Sequence, residues 1–181
     1  MAVSPLDIRA APNLLTERLD LRLPLAADLR AMGAIVAHEE TRRHLGPVSD
    51  PADHFMRFSR NAGSWLLYGY GAFMVRLRGS EELIGNCGVF HTWRGLGEDF
   101  DDSPEAGWIL RHDQVGRGIG FEAMSAVLDW FDRTHGPRRV VCMIGTENQP
   151  SISLAGKLGF APMRDTVLPD GDAVRLFERP A

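Results

Sequence analysis

The sequence predicts one globular domain of mixed α/β class. Short runs with alternating apolar residues, typical of strands, are interspersed with segments in which apolar residues recur at helical spacing. The predicted order along the chain is β-α-α-β-β-β-α-β-α-β-β. A length of 181 residues and a hydrophobic content of 44% suit a single domain with an ample core. Residues 1–13 contain prolines and show no periodicity, so we expect a loose lead-in there and the domain in residues 14–181.

The first part of the chain is predicted to hold a strand followed by two helices. Leucines alternate in residues 18–23, which predicts the strand, and apolar residues at helical spacing in residues 25–38 predict the first helix. The polar residues 39–50 are expected to form a loop. Asp50 can cap the second helix, and Pro51 suits its first turn. The apolar residues expected on the inner face of that helix are Phe55, Phe58, Ala62 and Trp65.

A pair of strands and an acidic insertion are predicted next. The strands lie at residues 71–78 and 82–90, and Gly85 and Gly88 suggest a bulge in the second. Residues 91–104 then hold the densest group of acidic residues in the chain. Two interpretations are open: a solvated loop, or an acidic lip that attracts an ammonium group near the chemistry. The carboxylates concerned are Glu98, Asp99, Asp101 and Asp102.

A glycine-rich turn joins the apolar run at residues 106–110 to a strongly periodic helix. Gly116, Gly118 and Gly120 remove the Cβ atoms that would keep a ligand away from the backbone. The helix that follows directs its free N–H groups and the positive end of its dipole to the same place. This combination predicts a phosphate site, with the charge of Arg117 at its rim. A turn without a ligand is the alternative, and the third glycine comes too early for a dinucleotide fingerprint.

The remainder of the chain is predicted to hold a strand, a short helix and a hairpin. Residues 139–144 are rich in β-branched side chains, which favours a strand. Asn148 can cap the short helix that follows. Two final strands, at residues 160–168 and 173–179, are joined at Asp170-Gly171, a strong signal for a hairpin turn.

Three blocks of the sequence resemble the GNAT superfamily of N-acetyltransferases, in particular the branch of the ribosomal-protein N-terminal acetyltransferases. Gly118 and Gly120 fill the last two fixed positions of the motif Gln/Arg-x-x-Gly-x-Gly/Ala, while Val115 stands at its first position. Residues 148–160 resemble an Asn-x-x-Ser … Gly-Phe block of that branch, and residues 16–22 resemble its first strand. The blocks come in the family order and span nearly the whole chain.

The resemblance implies a mostly antiparallel, twisted sheet that splays at its central strand, with acetyl-CoA bound in the opening. Backbone groups of Trp108, Ile109 and Leu110 would bond the pantetheine arm, and Asn148 would bond it while capping a helix. No metal ligands are expected. The pyrophosphate would lie against the glycine loop, whose residues are Val115, Gly116, Arg117, Gly118, Ile119, Gly120 and Phe121.

The resemblance also implies two catalytic residues, Glu105 and Ser151. Glu105 begins the central strand and is the candidate base for the amine. An exposed glutamate, with a pKa near ~4.3, is a poor base for an ammonium, but partial burial beside Trp108 would raise its pKa. The tyrosine that protonates the leaving thiolate in many members is replaced by Ala155, so Ser151 is the expected substitute, with Ser153 as the fallback. Weaker candidates for the base are His91, His112 and Asp113.

The expected function is acetyl transfer from acetyl-CoA to a primary amine, either a protein N-terminus or a small molecule, in a ternary complex. A non-catalytic module that binds or senses acyl-CoA is an alternative, and an NAD(P)-dependent oxidoreductase is a third. A net charge of −4 does not favour nucleic acid, and no run is long enough to span a membrane. Cys87 and Cys142 are expected to be buried thiols of a cytoplasmic monomer or homodimer.

Overall fold

The computed structural model describes residues 12–46 and 50–181, so most of the expected lead-in and part of the polar segment at 39–50 lie outside the described residues. The strands of the described part are β1 (Leu14–Leu15), β2 (Leu19–Arg22), β3 (Ala72–Leu77), β4 (Leu83–Phe90), β5 (Glu105–Leu110), β6 (Val140–Gly145), β7 (Ala161–Val167) and β8 (Ala173–Arg179). Its α-helices are α1 (Asp28–Ala37), α2 (Glu39–Arg42), α3 (Pro51–Tyr68), α4 (Glu98–Asp101), α5 (Ile119–His135) and α6 (Gln149–Lys157).

All of these strands form one sheet, in the order β1-β2-β3-β4-β5-β6-β8-β7. Neighbouring strands are antiparallel except β5 and β6, which are parallel. Strand β5 pairs with β4 along its whole length, whereas β5 and β6 pair only at Glu105 and Val141. The sheet therefore opens beyond Glu105, which confirms the predicted mixed α/β fold with a mostly antiparallel sheet splayed at its central strand. The doubly wound, mostly parallel sheet of a dinucleotide-binding oxidoreductase is absent from the described residues, which contradicts that alternative.

Different helices cover the two faces of the sheet. Helix α5 packs on one face through Met124, Val127 and Phe131, which are fully buried and recur at helical spacing. Helix α1 packs on the other face, where Met32 and Ile35 contact the sheet in a separate cluster. Helices therefore cover both faces of the sheet.

Helix α3 begins as predicted, but its inner face differs from the prediction. The Asp53 backbone N–H donates to the Asp50 carboxylate at 2.8 Å. Trp65 is buried and Phe58 packs against the cluster around α1, whereas Phe55 is 53% exposed, so its predicted inner position is wrong. Phe55 precedes Trp65 by ten residues, which puts it about 80° away around a helix with 3.6 residues per turn.

The bulge expected in the second of the paired strands is present. The register of β3 and β4 shifts between Val75 and Arg76, which leaves Ile84 as the extra residue beside Gly85. A Cβ atom on Gly85 would lie 2.1 Å from the Ile109 carbonyl oxygen, so only glycine allows β4 and β5 to approach here. The tail hairpin of β7 and β8 is confirmed as well.

Three short elements, β1, α2 and α4, were not predicted. Each spans two to four residues, which is too short for a period to show in the sequence. Among the described residues, no helix combines the length and the apolar character that crossing a membrane requires.

Candidate active site

The open side of β5 presents unpaired backbone groups. Where β5 and β6 still meet, the Val141 N–H donates to the Pro104 carbonyl at 2.9 Å. Backbone groups of alternate residues point to opposite sides of a strand, so the even-numbered residues of β5 face the opening. Trp108 and Leu110 thus offer N–H and C=O groups that lack a sheet partner in the described part of the chain. The Ile109 carbonyl points toward β4 instead. Of the three residues predicted to bond the pantetheine arm through their backbone, only Trp108 and Leu110 therefore face the opening.

The glycine loop follows β5 and ends at the start of α5. Gly116 and Gly118 have φ of +77° and +78°, which residues with a Cβ adopt only with strain. Nothing lies within 4 Å of the Cβ position of Gly116, so the space above it is open, whereas a Cβ on Gly120 would lie 3.0 Å from Leu154. No side chain caps α5 at its first residue, Ile119. Its first-turn N–H groups are therefore free to donate hydrogen bonds to an anionic ligand, as predicted for a phosphate site.

The first strand region holds the glycine loop in place. Thr16 Oγ1 donates to Glu122 Oε1 at 2.5 Å, and the Arg18 backbone N–H donates to the same oxygen at 2.9 Å. The Arg18 guanidinium donates through Nε to Glu122 Oε2 at 2.6 Å and through Nη1 to the Arg117 carbonyl at 3.0 Å. We call these four residues the Thr16–Glu122 clamp. The block at residues 16–22 thus fixes the loop and the first turn of α5 together.

The other residues of the loop differ in what they can offer a ligand. Val115 and Phe121 are exposed, whereas the Ile119 side chain is buried in the core, so only the backbone of Ile119 faces the site. Arg117 donates through Nη1 to Gln114 Oε1 at 3.2 Å. Gln114 is itself buried and stands one position before the place where the family motif has Gln or Arg. Its side chain thus supports the loop from within the protein.

Ser151 lies beside the opening, at the start of α6. Its backbone N–H donates to Asn148 Oδ1 at 3.2 Å, and Trp108 Nε1 donates to Ser151 Oγ at 3.2 Å. An indole N–H can only donate, so this bond leaves the Ser151 hydroxyl hydrogen free for another acceptor. Ser153 is exposed on the helix surface. Ala155 is fully buried, which leaves no space at its position for the tyrosine that it replaces.

Glu105 is buried where the sheet opens, as predicted, but its neighbours differ from the prediction. Its side chain lies on the opposite face of β5 from Trp108, because the two are three residues apart on a strand. Arg94 donates through Nε to Glu105 Oε2 at 2.8 Å and through Nη2 to Oε1 at 2.7 Å. Thr92 Oγ1 also donates to Oε2. Hydrogen-bond donors, rather than an apolar wall, surround this carboxylate.

The weaker candidates for the base are placed away from Glu105 or are engaged elsewhere. Asp113 and His112 follow the far end of β5. The hydrogen bond from Arg111 lowers the pKa of Asp113 to about 2, so this carboxylate is a very weak base. His112 stacks on His38 with ring centroids 3.9 Å apart. His91 follows Phe90, the strand partner of Glu105, and its ring centroid is 4.6 Å from that of Tyr68.

The acidic residues of the insertion are partly engaged within the protein. Arg164 donates to both carboxylate oxygens of Asp99, each at 3.0 Å. Asp101 accepts backbone N–H bonds from three residues of its own loop, Arg94, Leu96 and Gly97. The acidic-lip interpretation therefore remains open only for Glu98 and Asp102.

Both cysteines are free and buried, as predicted. Burial raises the pKa of Cys87 to about 12 and also raises the pKa of Cys142. Since the thiolate is the nucleophilic form of cysteine, neither residue is suited to carry an acetyl group.

Sequence reasoning missed Thr92 and Arg94. Arg94 is the only lysine or arginine in residues 91–104, and this isolation within an acidic segment was the available signal. The pairing itself depends on the path of the insertion back to β5, which no local pattern encodes.

Comparison with known proteins gives consistent matches. A family model described as an acetyltransferase (GNAT) domain matches residues 18–161. A Bordetella pertussis structure described as a GNAT-family acetyltransferase is 34% identical, with 93% of this chain and 99% of that chain covered and a TM-score of 0.83. An Agrobacterium tumefaciens acetyltransferase is 27% identical over 95% and 96%, with a TM-score of 0.81. RimL, a ribosomal L7/L12 alpha-N-protein acetyltransferase in complex with coenzyme A, is 16% identical over 92% and 96%, with a TM-score of 0.72, and shares the fold.

Proposed function

The chain belongs to the GNAT family of acetyltransferases and is an acetyl-CoA-dependent acyltransferase, and we propose that it acetylates a primary amine by direct transfer in a ternary complex. The observation that carries this proposal is the opening beside β5, which has the glycine loop beyond one end and buried Glu105 at the other. A cofactor that binds along the open strand thus has an anion site for its phosphates and a carboxylate near its reactive end.

The residues that would hold acetyl-CoA offer mainly backbone groups. Trp108 and Leu110 would bond the pantetheine amides as a neighbouring strand would, and the N–H groups at Gly118 and Gly120 would bond the pyrophosphate. Asn148 would add a side-chain contact from the start of α6. When bound, acetyl-CoA supplies a thioester whose carbonyl carbon accepts the amine. In the solved RimL complex, coenzyme A is bound to a protein of the same fold, which supports this assignment.

Ser151 is proposed to donate a proton to the departing sulfur. The indole of Trp108 occupies one lone pair of Ser151 Oγ, which leaves the hydroxyl hydrogen to be directed elsewhere. In the transfer the amine nitrogen forms a bond to the carbonyl carbon, the carbon–sulfur bond breaks, and the sulfur takes up the serine proton. The acylated nitrogen releases its second proton to solvent, and the serine is reprotonated from solvent. Ser151 fits this role better than Ser153 because Ser153 is exposed on the outer side of α6.

Glu105 is proposed to receive the proton that the ammonium form of the acceptor must lose. Because Arg94 and Thr92 already donate to both of its oxygens, we infer that the proton passes through a bound water rather than directly. Positioning of the amine adds to this proton transfer, since well-oriented reactants reach effective molarities of about 10⁵–10⁸ M. An indirect base is therefore sufficient for turnover.

The acceptor is proposed to be either a protein N-terminal amine or a small amine. The fold shared with RimL, whose name gives a ribosomal protein as its substrate, supports the first. The free state of both cysteines fits a reducing compartment, which supports the predicted cytoplasmic location. A monomer or a homodimer remains the predicted state.

Thermal melting with acetyl-CoA, coenzyme A and NAD(P) tests the proposal, followed by thiol release with a panel of amines. A ligand at 100 times its dissociation constant stabilises by about 2.7 kcal/mol, which is roughly 5–10 °C for a domain of this size. We expect a shift with acetyl-CoA and coenzyme A, none with NAD(P), and thiol release that depends on an added amine. Binding of acetyl-CoA without release on any amine would contradict the catalytic part and favour an acyl-CoA sensor.

A further inference from the structure

Glu105 lies within a group of arginines, and only one of them is neutralised by it. The Arg94 side chain uses Nε and Nη2 to hold Glu105, and it is 27% exposed. Its remaining nitrogen, Nη1, donates to no group in residues 12–46 or 50–181. An arginine held in this way keeps a fixed orientation and still has donors for a second anion.

Two further arginines approach from α3. Arg57, Arg60 and Ser64 recur at helical spacing and share one side of the helix. The position of that side is fixed by Ser64, whose Oγ accepts a hydrogen bond from the His91 backbone N–H at 3.2 Å. The arginines therefore lie along the segment that leads from His91 to Arg94.

Arg60 responds to the charges of this group. Arg60 is exposed on the surface of α3, and its pKa is lowered by partial desolvation and by the positive charges of Arg94 and Arg57, which the charge of Glu105 opposes. Neither Arg57 nor Arg60 has a carboxylate within 4.0 Å in the part of the chain that the structure describes. Both cations are thus available to an external anion.

The nearby carboxylates do not cancel this charge. Asp101 faces Arg94, but both of its oxygens accept backbone N–H groups of the insertion. Asp99 is paired with Arg164. Arg94 already binds Glu105 through two nitrogens, which leaves Arg57 and Arg60 without an ion-pair partner of their own among the described residues.

The phosphates of coenzyme A are too distant to be the anion that this group binds. The group surrounds Glu105 at the start of β5, and the glycine loop begins after Leu110 at its end. Five residues of extended strand span about 17 Å. The arginines lie at the end of the opening where the acceptor, rather than the phosphates, is expected.

We propose that Arg60, supported by Arg57 and Arg94, binds an oxyanion of the acceptor, so that the acceptor is an amine that carries a carboxylate or phosphate close to its amino group. A free amino acid, a peptide with an acidic residue near its N-terminus and a phosphorylated amine share this chemistry. The proposal rests on the proposed function, because it assumes that the acceptor reaches Glu105. It replaces the acidic lip as the feature that selects the acceptor.

The test uses matched pairs of amines that differ only in the anion. The pairs are glycine and glycinamide, a dipeptide with an N-terminal serine followed by Asp or by Asn as C-terminal amides, and phosphoethanolamine and ethanolamine. Binding of each to the coenzyme A-loaded protein is measured by calorimetry, and thiol release from acetyl-CoA is measured in parallel. We expect the anionic member of at least one pair to bind about tenfold more tightly, as a charge-assisted contact predicts. The pair whose two members differ in affinity identifies which class of acceptor carries the anion.

Two variants show whether Arg60 is responsible. In Arg60→Gln the preference should fall to within about twofold, whereas Arg133→Gln, which removes the same charge from an exposed position on α5, should keep it. Equal binding of all pairs in the wild type, or a preference that survives in Arg60→Gln, would overturn the proposal. Acetylation of both members of each pair at equal efficiency would refute it while supporting acetyl transfer. Selective binding without thiol release would support the anion site and contradict the proposed function.

Discussion

The guanidinium of Arg18 donates to the carboxylate of Glu122 at 2.6 Å and joins two parts of the chain that are 104 residues apart. Arg18 also donates to the carbonyl of Arg117 within the glycine loop. The block at residues 16–22 and the glycine loop, which is proposed to bind the cofactor, are therefore one structural unit. This contact explains why both blocks can be needed for a single site although they lie far apart in the sequence.

Replacement of Arg18 should weaken cofactor binding more than it affects the fold. In Arg18→Gln the loop loses the hydrogen bond to the Arg117 carbonyl, and Glu122 loses its cationic partner, so loop order is reduced. Arg18 is 45% exposed, so the free energy of unfolding should fall by only about 1 kcal/mol or less. We expect the dissociation constant for coenzyme A, measured by calorimetry, to rise about threefold to tenfold.

Arg175→Gln is the matched control for this experiment. Arg175 makes a similar exposed ion pair with Asp165 at 2.6 Å, but on the tail hairpin. Its removal should leave coenzyme A affinity unchanged. Equal losses of affinity in both variants would indicate a general effect on the protein and count against the clamp.

The Thr16–Glu122 clamp should also make the free energy of unfolding depend on pH in the acidic range. Burial of Glu122 acts to raise its pKa, but the hydrogen bonds from Thr16 and Arg18 outweigh burial, so the pKa in the folded protein lies below the ordinary value of 4.5. The folded protein therefore binds this proton less tightly than the unfolded chain. The contribution to the free energy of unfolding is fully present above pH 4.5 and is lost as the pH falls through the folded pKa.

Urea unfolding of the wild type and Glu122→Gln at a series of pH values, from about 5 down to about 3, measures this contribution. The variant should show the smaller loss of stability over that range, because it lacks the titrating group. Glu147→Gln, at an exposed position, should retain the wild-type slope. Parallel curves for wild type and Glu122→Gln would show that ionisation of Glu122 does not contribute to the free energy of unfolding.

Gly118→Val separates the conformational role of the loop from its role in binding. Gly118 and Gly79 have φ of +78° and +79°, so valine at either position should cost at least about 1 kcal/mol of stability. Only at position 118 should the side chain also occupy the space of the pyrophosphate. We expect coenzyme A affinity to fall more than about tenfold in Gly118→Val and to remain near wild type in Gly79→Val. Wild-type affinity for coenzyme A in Gly118→Val would show that the glycine loop is not part of the cofactor site.

The elements with a strong period or a strong local signal could be predicted from the sequence. Asp50 caps α3, Asn148 caps α6, and Gly85 marks the bulge, because each depends on chemistry within a few residues. The glycine-rich turn before α5 followed for the same reason, since glycines and a helix start define it locally.

The surroundings of Glu105 could not be predicted, because their contacts join residues that are far apart in the chain. The pairing of Arg94 with Glu105 and the approach of Arg60 from α3 depend on how the insertion folds back over β5. The acidic composition of that insertion suggested a negative surface. Asp99 instead pairs with Arg164 of β7, and Asp101 accepts N–H groups of its own loop, which composition alone could not reveal.

Ser151→Ala should lower kcat with little change in the KM for acetyl-CoA. The serine is proposed to contact the sulfur only as it departs, so its loss affects the transition state more than binding. A fall of about 10²-fold is expected, the low end for an acid–base residue, since a thiolate leaves readily. Ser153→Ala, in the same helix but exposed, should behave as the wild type. An unchanged kcat in Ser151→Ala would show that water, rather than Ser151, protonates the departing thiolate.

Glu105 and Arg94 can be separated by their effects on stability and on turnover. Arg94→Ala leaves a carboxylate that is 4% exposed without its cationic partner, and loss of one member of a buried ion pair costs about 3–5 kcal/mol. Glu105→Gln in the same background removes the unpaired charge, so the double variant should be more stable than Arg94→Ala alone. Denaturant unfolding of all four proteins measures this coupling, which reports on the ion pair and not on catalysis.

Turnover reports on the other role of Glu105. If the carboxylate receives the proton of the acceptor through water, Glu105→Gln should lower kcat by about 10²–10⁴-fold and also remove the dependence of kcat on the ionisation of a base. Glu105→Asp keeps a carboxylate and should recover part of the rate. A purely structural Glu105 would give a folded Glu105→Gln variant whose kcat and pH profile match the wild type. That result would show that ordered water in the opening, rather than Glu105, acts as the base. Glu105 would then have the role of positioning Arg94.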